Sequence, residues 1–314
     1  MPDAAEDVIE SVRDGGLLRP GAPLVAMLSG GRDSTCLLDV AVRVLGPECV
    51  SALHVNYGLR DDADADEAHC AALCGRLGVE LVVERPRRPE GPGNLQAWAR
   101  DTRYAAAAGL ASAADASIAT GHTADDQVET ILYRLASSPS RRALLGMKPS
   151  DGRLLRPLLA VTRAETTAYC EERGLAWRDD PTNEEGAFAR NRIRHGLAET
   201  LAEAHPAAAA NVLRTAELLR EEAEVLDGLV AAELDGSGGA PRGAIARERM
   251  TELAPALRRL VVQQLADTAA GRPVAGAARH AEEVAGLTRG GSMIDLGSGV
   301  RAVLENGTIR AEQT

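Results

Sequence analysis

An open, doubly wound α/β sheet followed by a smaller, mainly helical domain is the fold that this chain of 314 residues predicts. Three observations predict it. Over the first two-thirds, short apolar runs alternate with helical patterns, the signature of βαβ units and a mainly parallel sheet. After "DDPTN" (179–183) the strand signals stop and the apolar spacing becomes helical. Near the end, Asn306-Gly307 separates two alternating runs, a strong hairpin signal.

"PLVAML" (23–28) reads as a buried strand and 33–45 as a helix with Leu37, Val40 and Val44 on one face. "CVSALHV" (49–55) is a second strand, followed by a helix over about 62–77 and a third strand, "VELVV" (79–83). Residues 85–93, "RPRRPEGPG", are too rich in Pro and Gly for regular structure and read as an exposed loop. The Ala-rich segment 94–114 makes a long helix, "ASIAT" (116–120) a strand, and 124–136 another helix. From 197 to about 234 the pattern is helical; "GSGGAPRG" (236–243) links it to a further helix over about 244–269. The expected domains are residues 1–200 and 201–314, the second closing on a short β-hairpin, with no internal repeat.

The composition, 45% hydrophobic and 26% charged, is that of a globular protein. Aromatics are only 2%, so the core is expected to be Leu, Val, Ile and Ala, which weakens any aromatic base-stacking surface. No apolar run reaches the ~18 to 20 residues that span a bilayer, and "MPDAAEDVIESVRDGG" is acidic rather than a basic-then-apolar export signal, so a cytoplasmic location is expected. Five cysteines without a C-x-x-C pair fit reduced thiols and lack the usual spacing for zinc or iron–sulfur ligation. The net charge of −11 argues against a nucleic-acid partner, but the distribution is uneven. Arg134, Arg141, Arg142, Lys148, Arg153 and Arg156 face a single acid, Asp151, and Arg190, Arg192 and Arg194 follow with none. Both a solvated charged face and a phosphate-contacting patch fit.

"LSGGRDST" (28–35) lies where the first strand runs into the first helix of that unit. Glycines let backbone N–H groups approach an oxyanion, the helix start is positive, and Ser29 and Ser34 add hydroxyls, which together make an anion site. A plain strand-to-helix turn capped by Asp33 or Ser34 fits the same residues. Two nucleotide loops are excluded: Lys148 is the only lysine and follows Met147, so there is no G-K-[ST] loop, and no G-x-G-x-x-G follows a strand.

"SGGRDS" (29–34) resembles the S-G-G-x-D-S loop of the N-type ATP pyrophosphatases, the PP-loop superfamily. "HVNYGLR" (54–60), "ARDTRY" (99–104), "GHTADDQVET" (121–130), "LLGMKP" (144–149), "LLRPLL" (154–159) and "DDPTNEEGAFARNRIRH" (179–195) follow in the order seen in tRNA(Ile)-lysidine synthetases. The resemblance covers roughly residues 20–200, and the tail "GSMIDLGSGVRA" is similar to the end of that family's first C-terminal domain, as in its short form.

That resemblance implies a PP-loop catalytic domain over 1–200 and a tRNA-binding domain over 201–314. It implies an AMP-forming ligase: ATP adenylates the wobble cytidine of a CAU-anticodon isoleucine tRNA, and free L-lysine then displaces AMP to give lysidine. Ser29, Gly30, Gly31, Arg32, Asp33 and Ser34 match the ATP cradle, with Asp33 as the Mg²⁺ carboxylate. His54 and Asn56, with the backbone around them, flank the adenine, Gly121 completes the nucleotide site, and His122 fits either a nucleotide contact or a proton acceptor. Asp126 and Glu129, three apart and so on one helix face, match the lysine-recognising pair. Asp33, Arg103 and Arg194 match the catalytic set, the arginines stabilising phosphate charge. Arg141, Arg142, Lys148, Arg190 and Arg192 are the tRNA contacts it implies, and a homodimer is compatible with it. Trp98 and Trp177 are expected in the core.

The chain departs from the family pattern at two positions. Tyr57 stands where the family has His, and "SSPS" (137–140) replaces R-G-[ST]-G after the acidic helix. Rival readings are a related enzyme that thiolates a tRNA base or amidates a small molecule, and a non-catalytic RNA-binding homologue. Thiolation lacks the paired cysteines, amidation lacks a glutaminase or ammonia channel, and a complete Asp33, Arg103, Asp126, Glu129 and Arg194 set opposes decay.

Overall fold

The computed structural model describes residues 3–59, 61–89, 94–137, 141–178, 193–236 and 239–314, with only the backbone of 141, 142, 194 and 195. Two compact units divide at Ala216 and Glu217. The first contains α1 (Ala4–Asp14), β1 (Leu24–Met27), α2 (Arg32–Leu45), β2 (Val50–Val55), α3 (Ala63–Leu77), β3 (Glu80–Glu84), α4 (Leu95–Ala113), β4 (Ser117–Ala119), α5 (Ala124–Ser137), α6 (Arg141–Leu144), β5 (Ser150–Asp151), β6 (Leu154–Leu155) and α7 (Arg163–Glu172).

The strands form one sheet in the order β3-β2-β1-β4-β6-β5, parallel throughout except for the β5–β6 pair. Strand order reverses at β1, with β2 and β3 on one side and β4 and β6 on the other. Ligands of open α/β sheets bind at the carboxyl ends of the strands beside such a reversal, here between β1 and β4.

Alternation along the strands explains how both sheet faces are covered. Leu24, Ala26 and Leu28 join one core with Leu37, Leu38 and Val40 of α2 and Tyr169 of α7. Val25 and Met27 join another with Ala107 and Ala111 of α4. All four residues of β1 are therefore buried, and the strand reads as an unbroken apolar run.

Asp39 of α2 is the charged residue inside this packing, 1% exposed, accepting from Tyr169 Oη at 2.5 Å and Arg43 Nε at 2.6 Å. Burial and the bond to Asp39 push the Tyr169 hydroxyl well above its ordinary pKa, so it stays a donor.

A π-helical turn at Ile193–Ala198 leads into α8 (Glu199–Ala204) and α9 (Ala208–Glu233). The single helix expected over 197–234 is broken at the extended His205, just before Pro206, which has no N–H to continue the ladder. In the second unit, β7 (Ile245–Ala246), α10 (Arg247–Glu252) and α11 (Pro255–Ala270) replace the helix expected over 244–269. Leu253 and Ala254 have ψ of 142° and 144°, and Pro255 opens α11 at its first position. After α12 (Ala281–Ala285) come β8 (Met293–Gly297), β9 (Val300–Glu305) and β10 (Thr308–Gln313). Asn306 and Gly307, at φ 50° and 76°, turn β9 into β10, and Ser298 and Gly299, at 55° and 74°, turn β8 into β9. The expected hairpin thus belongs to a four-stranded antiparallel sheet, β7-β10-β9-β8. Among the described residues no helix is long and apolar enough to cross a membrane.

Tyr169→Phe removes a buried donor to a carboxylate and is expected to lower the unfolding free energy by about 1.5–3 kcal/mol. Denaturant titration reads this directly, and an unchanged midpoint contradicts it.

Candidate functional site

The loop between β1 and α2 is a compact set of donors. Ser29 N donates to Ser34 Oγ at 3.2 Å, Gly31 N to Ser29 Oγ at 3.4 Å, and the two hydroxyl oxygens lie 3.0 Å apart. Ser34 Oγ donates to Gly31 O at 2.8 Å, closing the turn. Gly30 has a φ of 86°, and a Cβ there lies 3.3 Å from Cys70 Sγ, so glycine fits both the backbone and the space. Arg178 N donates to Gly30 O at 3.0 Å from the other side.

His54 and Asn56, expected beside the nucleotide, act on the backbone around them. His54 is 4% exposed and its Nδ1 lies 2.9 Å from Leu28 O, pinning the end of β1. Asn56 Nδ2 donates to Asp64 Oδ1 and Glu67 Oε2, both at 3.0 Å, while its Oδ1 accepts from Gly58 N. His54 Nδ1 and the Asn56 amide thus hold the strand end.

Gly121, directly after β4 and Thr120, packs on the first turn of α2. A Cβ on it lies 2.9 Å from Asp33 O, closer than real Cβ atoms approach, and 3.1 Å from Ser34 N, tighter than most such contacts. His122 Nδ1 is 2.8 Å from Thr120 Oγ1. Asp33 Oδ1 accepts from Thr166 Oγ1 of α7 at 2.7 Å and from Arg32 Nε at 3.0 Å. The Arg32 Nε is thus directed to Asp33 and Thr166. A single carboxylate beside a phosphate cradle suits Mg²⁺, which takes one or two carboxylates, phosphate oxygens and waters. Among the described residues no group of three or more His, Cys, Asp or Glu is placed to hold a metal ion by itself.

Asp126 and Glu129 of α5 converge as their spacing predicts, and they do so on a guanidinium. Arg163, the first residue of α7, donates from Nη2 to Asp126 Oδ1 at 2.7 Å and from Nη1 to Glu129 Oε1 at 2.8 Å. Its backbone N donates to Asp125 Oδ2 at 2.8 Å. Asp126 Oδ2 also accepts from Thr123 N at 2.9 Å, tying the carboxylate to the start of its own helix. Burial opposes the Arg163 charge, but the bond to Glu129 and the charges of Asp126, Glu129 and Asp125 outweigh it and hold the pKa above its ordinary value.

Arg103 of α4 has its Nε buried without a hydrogen-bond partner, with its Cζ 5.8 Å from the Tyr104 ring centroid. Tyr57 fixes the start of that helix: its Oη donates to Ala99 O at 2.7 Å, and its ring meets Trp98 edge-on at 5.6 Å. Trp98 therefore packs on the Tyr57 loop, outside the core clusters where it was expected, while Trp177 packs partly buried against the α2–α7 core. Burial raises the Tyr57 pKa and nearby Arg103 opposes that shift.

Lys148 is exposed, on a loop latched to α5 by Gln127, which donates to Met147 O at 2.9 Å and accepts from Met147 N at 2.6 Å. Arg190, Arg192 and Ser138 to Ser140 lie outside the described residues, as do the side chains of Arg141, Arg142 and Arg194. Sequence reasoning missed Arg163, Thr166 and Gln127. A signal for the first two was present: Thr162 with Glu165 three residues later forms a capping box at the start of α7.

A PP-loop domain family model matches residues 8–201. The chain belongs to the PP-loop domain family. Beyond its PP-loop domain, relatives extend the likeness: it is 38% identical over 320 residues to a tRNA(Ile)-lysidine synthase of Symbiobacterium thermophilum, covering 94% of this chain and 66% of that one. It is 41% identical over 213 residues to the enzyme of that name from Pseudomonas fluorescens, covering 66% of this chain and 48% of the relative. For Thermus thermophilus the figures are 41% over 222 residues, 69% and 43%. The chain thus spans about half the length of several of the curated relatives it matches. Among solved structures, the U34-tRNA thiolase NcsA of Methanococcus maripaludis, solved with its 4Fe-4S cluster, has a TM-score of 0.58 at 17% identity, covering 69% of this chain and 79% of that one. At that identity the likeness supports the PP-loop fold.

Gly121→Ala drives a methyl group into the backbone of Asp33. It is expected to lower stability by about 1–3 kcal/mol and to weaken ATP binding; an unchanged melting midpoint and ATP affinity contradict the contact.

Proposed function

We propose that this protein ligates free L-lysine to the wobble cytidine of a CAU-anticodon isoleucine tRNA, using ATP and releasing pyrophosphate and AMP. The observation that carries the reading is the convergence on one sheet edge of a phosphate cradle, Ser29 to Ser34, and an acidic pair, Asp126 and Glu129, joined by the contact of Gly121 with α2. The tRNA(Ile)-lysidine synthase relatives supply the substrates. A cytoplasmic location belongs to the same proposal.

In the first step the cytidine O2 attacks the α-phosphorus of ATP and pyrophosphate leaves. The loop amides and the Ser29 and Ser34 hydroxyls hold the β and γ phosphates, and the backbone around Leu53 to Asn56 flanks the adenine. Asp33 would hold Mg²⁺, which would supply positive charge against the leaving pyrophosphate. Arg103 and Arg194 stabilise charge on the α-phosphate. In the second step the ε-amine of lysine, having lost a proton to solvent, attacks the activated C2; the C–O bond to AMP breaks, AMP leaves, and the new C–N nitrogen gives its extra proton to solvent. Asp126 and Glu129 bind lysine's other ammonium, with Arg163 fixing the spacing of their oxygens and leaving a net negative site with Asp125.

Sulfur transfer fits these residues less well: burial pushes the Cys70 thiol up to about 12 and the Cys74 thiol up to about 11, which keeps both from acting as nucleophiles.

Labelled lysine incubated with protein, ATP, Mg²⁺ and unmodified isoleucine tRNA is expected to enter the tRNA with one AMP formed per lysine, and removal of Mg²⁺ by EDTA is expected to stop it. AMP formation with another acceptor and no lysine transfer overturns the reading. Asp126→Asn with Glu129→Gln is expected to raise the lysine KM at least about tenfold more than the ATP KM, a tenfold ratio being about 1.4 kcal/mol of selective binding. Equal effects contradict the lysine-site assignment.

A further inference from the structure

We propose that Arg156, with Arg100 and Arg134 beside it, forms a binding site for a backbone phosphate of the RNA that flanks the modified nucleotide. The inference rests on the proposed reading that RNA is the substrate.

Arg156, directly after β6, is 9% exposed, and its Nε is buried without a hydrogen-bond partner. Its Nη1 donates to Lys148 O at 2.5 Å, a neutral acceptor. Arg134 of α5 donates to another carbonyl, Gly146 O, at 2.6 Å. Arg100 of α4 lies with its Cζ 4.9 Å from the Tyr104 ring centroid. Besides burial, the groups acting most strongly on Arg156 are Tyr104, Asp151, Arg100 and Arg134, one carboxylate against two further guanidiniums. Among the described residues none of the three arginines is in an ion pair.

Arg163 in the same unit gives the contrast. There the fold meets a buried guanidinium with two carboxylates. Around Arg156 it brings more guanidiniums instead. A buried charge without a counter-charge is costly, and clustering like charges beside it adds to the cost. An external anion relieves both penalties, and a phosphate oxygen suits an unpartnered guanidinium N–H.

The position favours RNA over ATP. β6 is the second strand from β1 across β4, and strands are ~4.8 Å apart, so Arg156 lies roughly 10 Å to the side of the strand that carries the ATP loop. The exposed Lys148 emerges on the same segment. This is the stretch, 134–156, where the sequence holds many cations against Asp151 alone.

The test measures binding of a CAU-anticodon stem–loop RNA and, separately, of ATP to the full chain and to Arg156→Lys, Arg134→Gln and Arg100→Gln. Arg134 and Arg100 are the less buried members, so their variants keep the test decisive if Arg156→Lys fails to fold. The expected result is a loss of RNA affinity of about three- to tenfold per variant, with the slope of log K against log salt smaller by ~0.7–0.9 for each lost phosphate contact, and unchanged ATP affinity. RNA affinity and salt slope unchanged in both Arg134→Gln and Arg100→Gln overturn the proposal, as does a loss of ATP affinity in step with RNA. Because the readout is binding, a wild-type protein that binds this RNA and transfers no lysine overturns the proposed function and leaves the phosphate site standing.

Discussion

The close approach of Gly121 to the first turn of α2 is the constraint on which the site depends. Ser29 to Ser34 form one half of the site and the start of α5 forms the other, and they come from strands whose order in the sheet reverses between them. A side chain at 121 would separate the halves, because the neighbouring atoms are backbone and cannot swing away. The rest of the first unit reinforces that contact. His54 fixes Leu28, Arg178 fixes Gly30, and Thr166 of α7 fixes Asp33.

Charge in this molecule is arranged locally, and the net value of −11 conceals it. At the start of α5, Asp126 and Glu129 hold the Arg163 guanidinium and Asp125 accepts from its backbone N–H, three carboxylates to one guanidinium, a surplus of negative charge suited to an ammonium ligand. At the end of β6, three guanidiniums meet one carboxylate, a surplus suited to phosphate. Both lie at the carboxyl edge of the same sheet, where an RNA and an amino acid could be brought to one nucleotide.

Much of the first unit was legible because β1, β2 and β4 are largely buried and helices such as α1 and α2 are amphipathic. "PLVAML", "CVSALHV" and "ASIAT" stand out as apolar runs for that reason, and Asn306-Gly307 specifies its turn through φ values that other residues resist. The two long C-terminal helices were over-read because Pro206 and Pro255 were given too little weight against continuous helical spacing. The two-residue strands β5 and β6 are too short to show any period. In the site, the spacing of Asp126 and Glu129 placed them on one face, but nothing local says that Arg163, over thirty residues later, lies between them. Such a pairing is created by tertiary packing of α7 and cannot be read from either segment alone.

The central claim is that one edge of the sheet holds both the activating nucleotide and the incoming amino acid. The most direct measurement is a crystal structure with a non-hydrolysable ATP analogue, Mg²⁺ and L-lysine. The account predicts the terminal phosphates on the Ser29, Gly30, Gly31 and Ser34 loop and an ammonium of lysine within hydrogen-bonding distance, ~3 Å, of Asp126 and Glu129. Lysine bound elsewhere, or phosphates outside the loop, would contradict it.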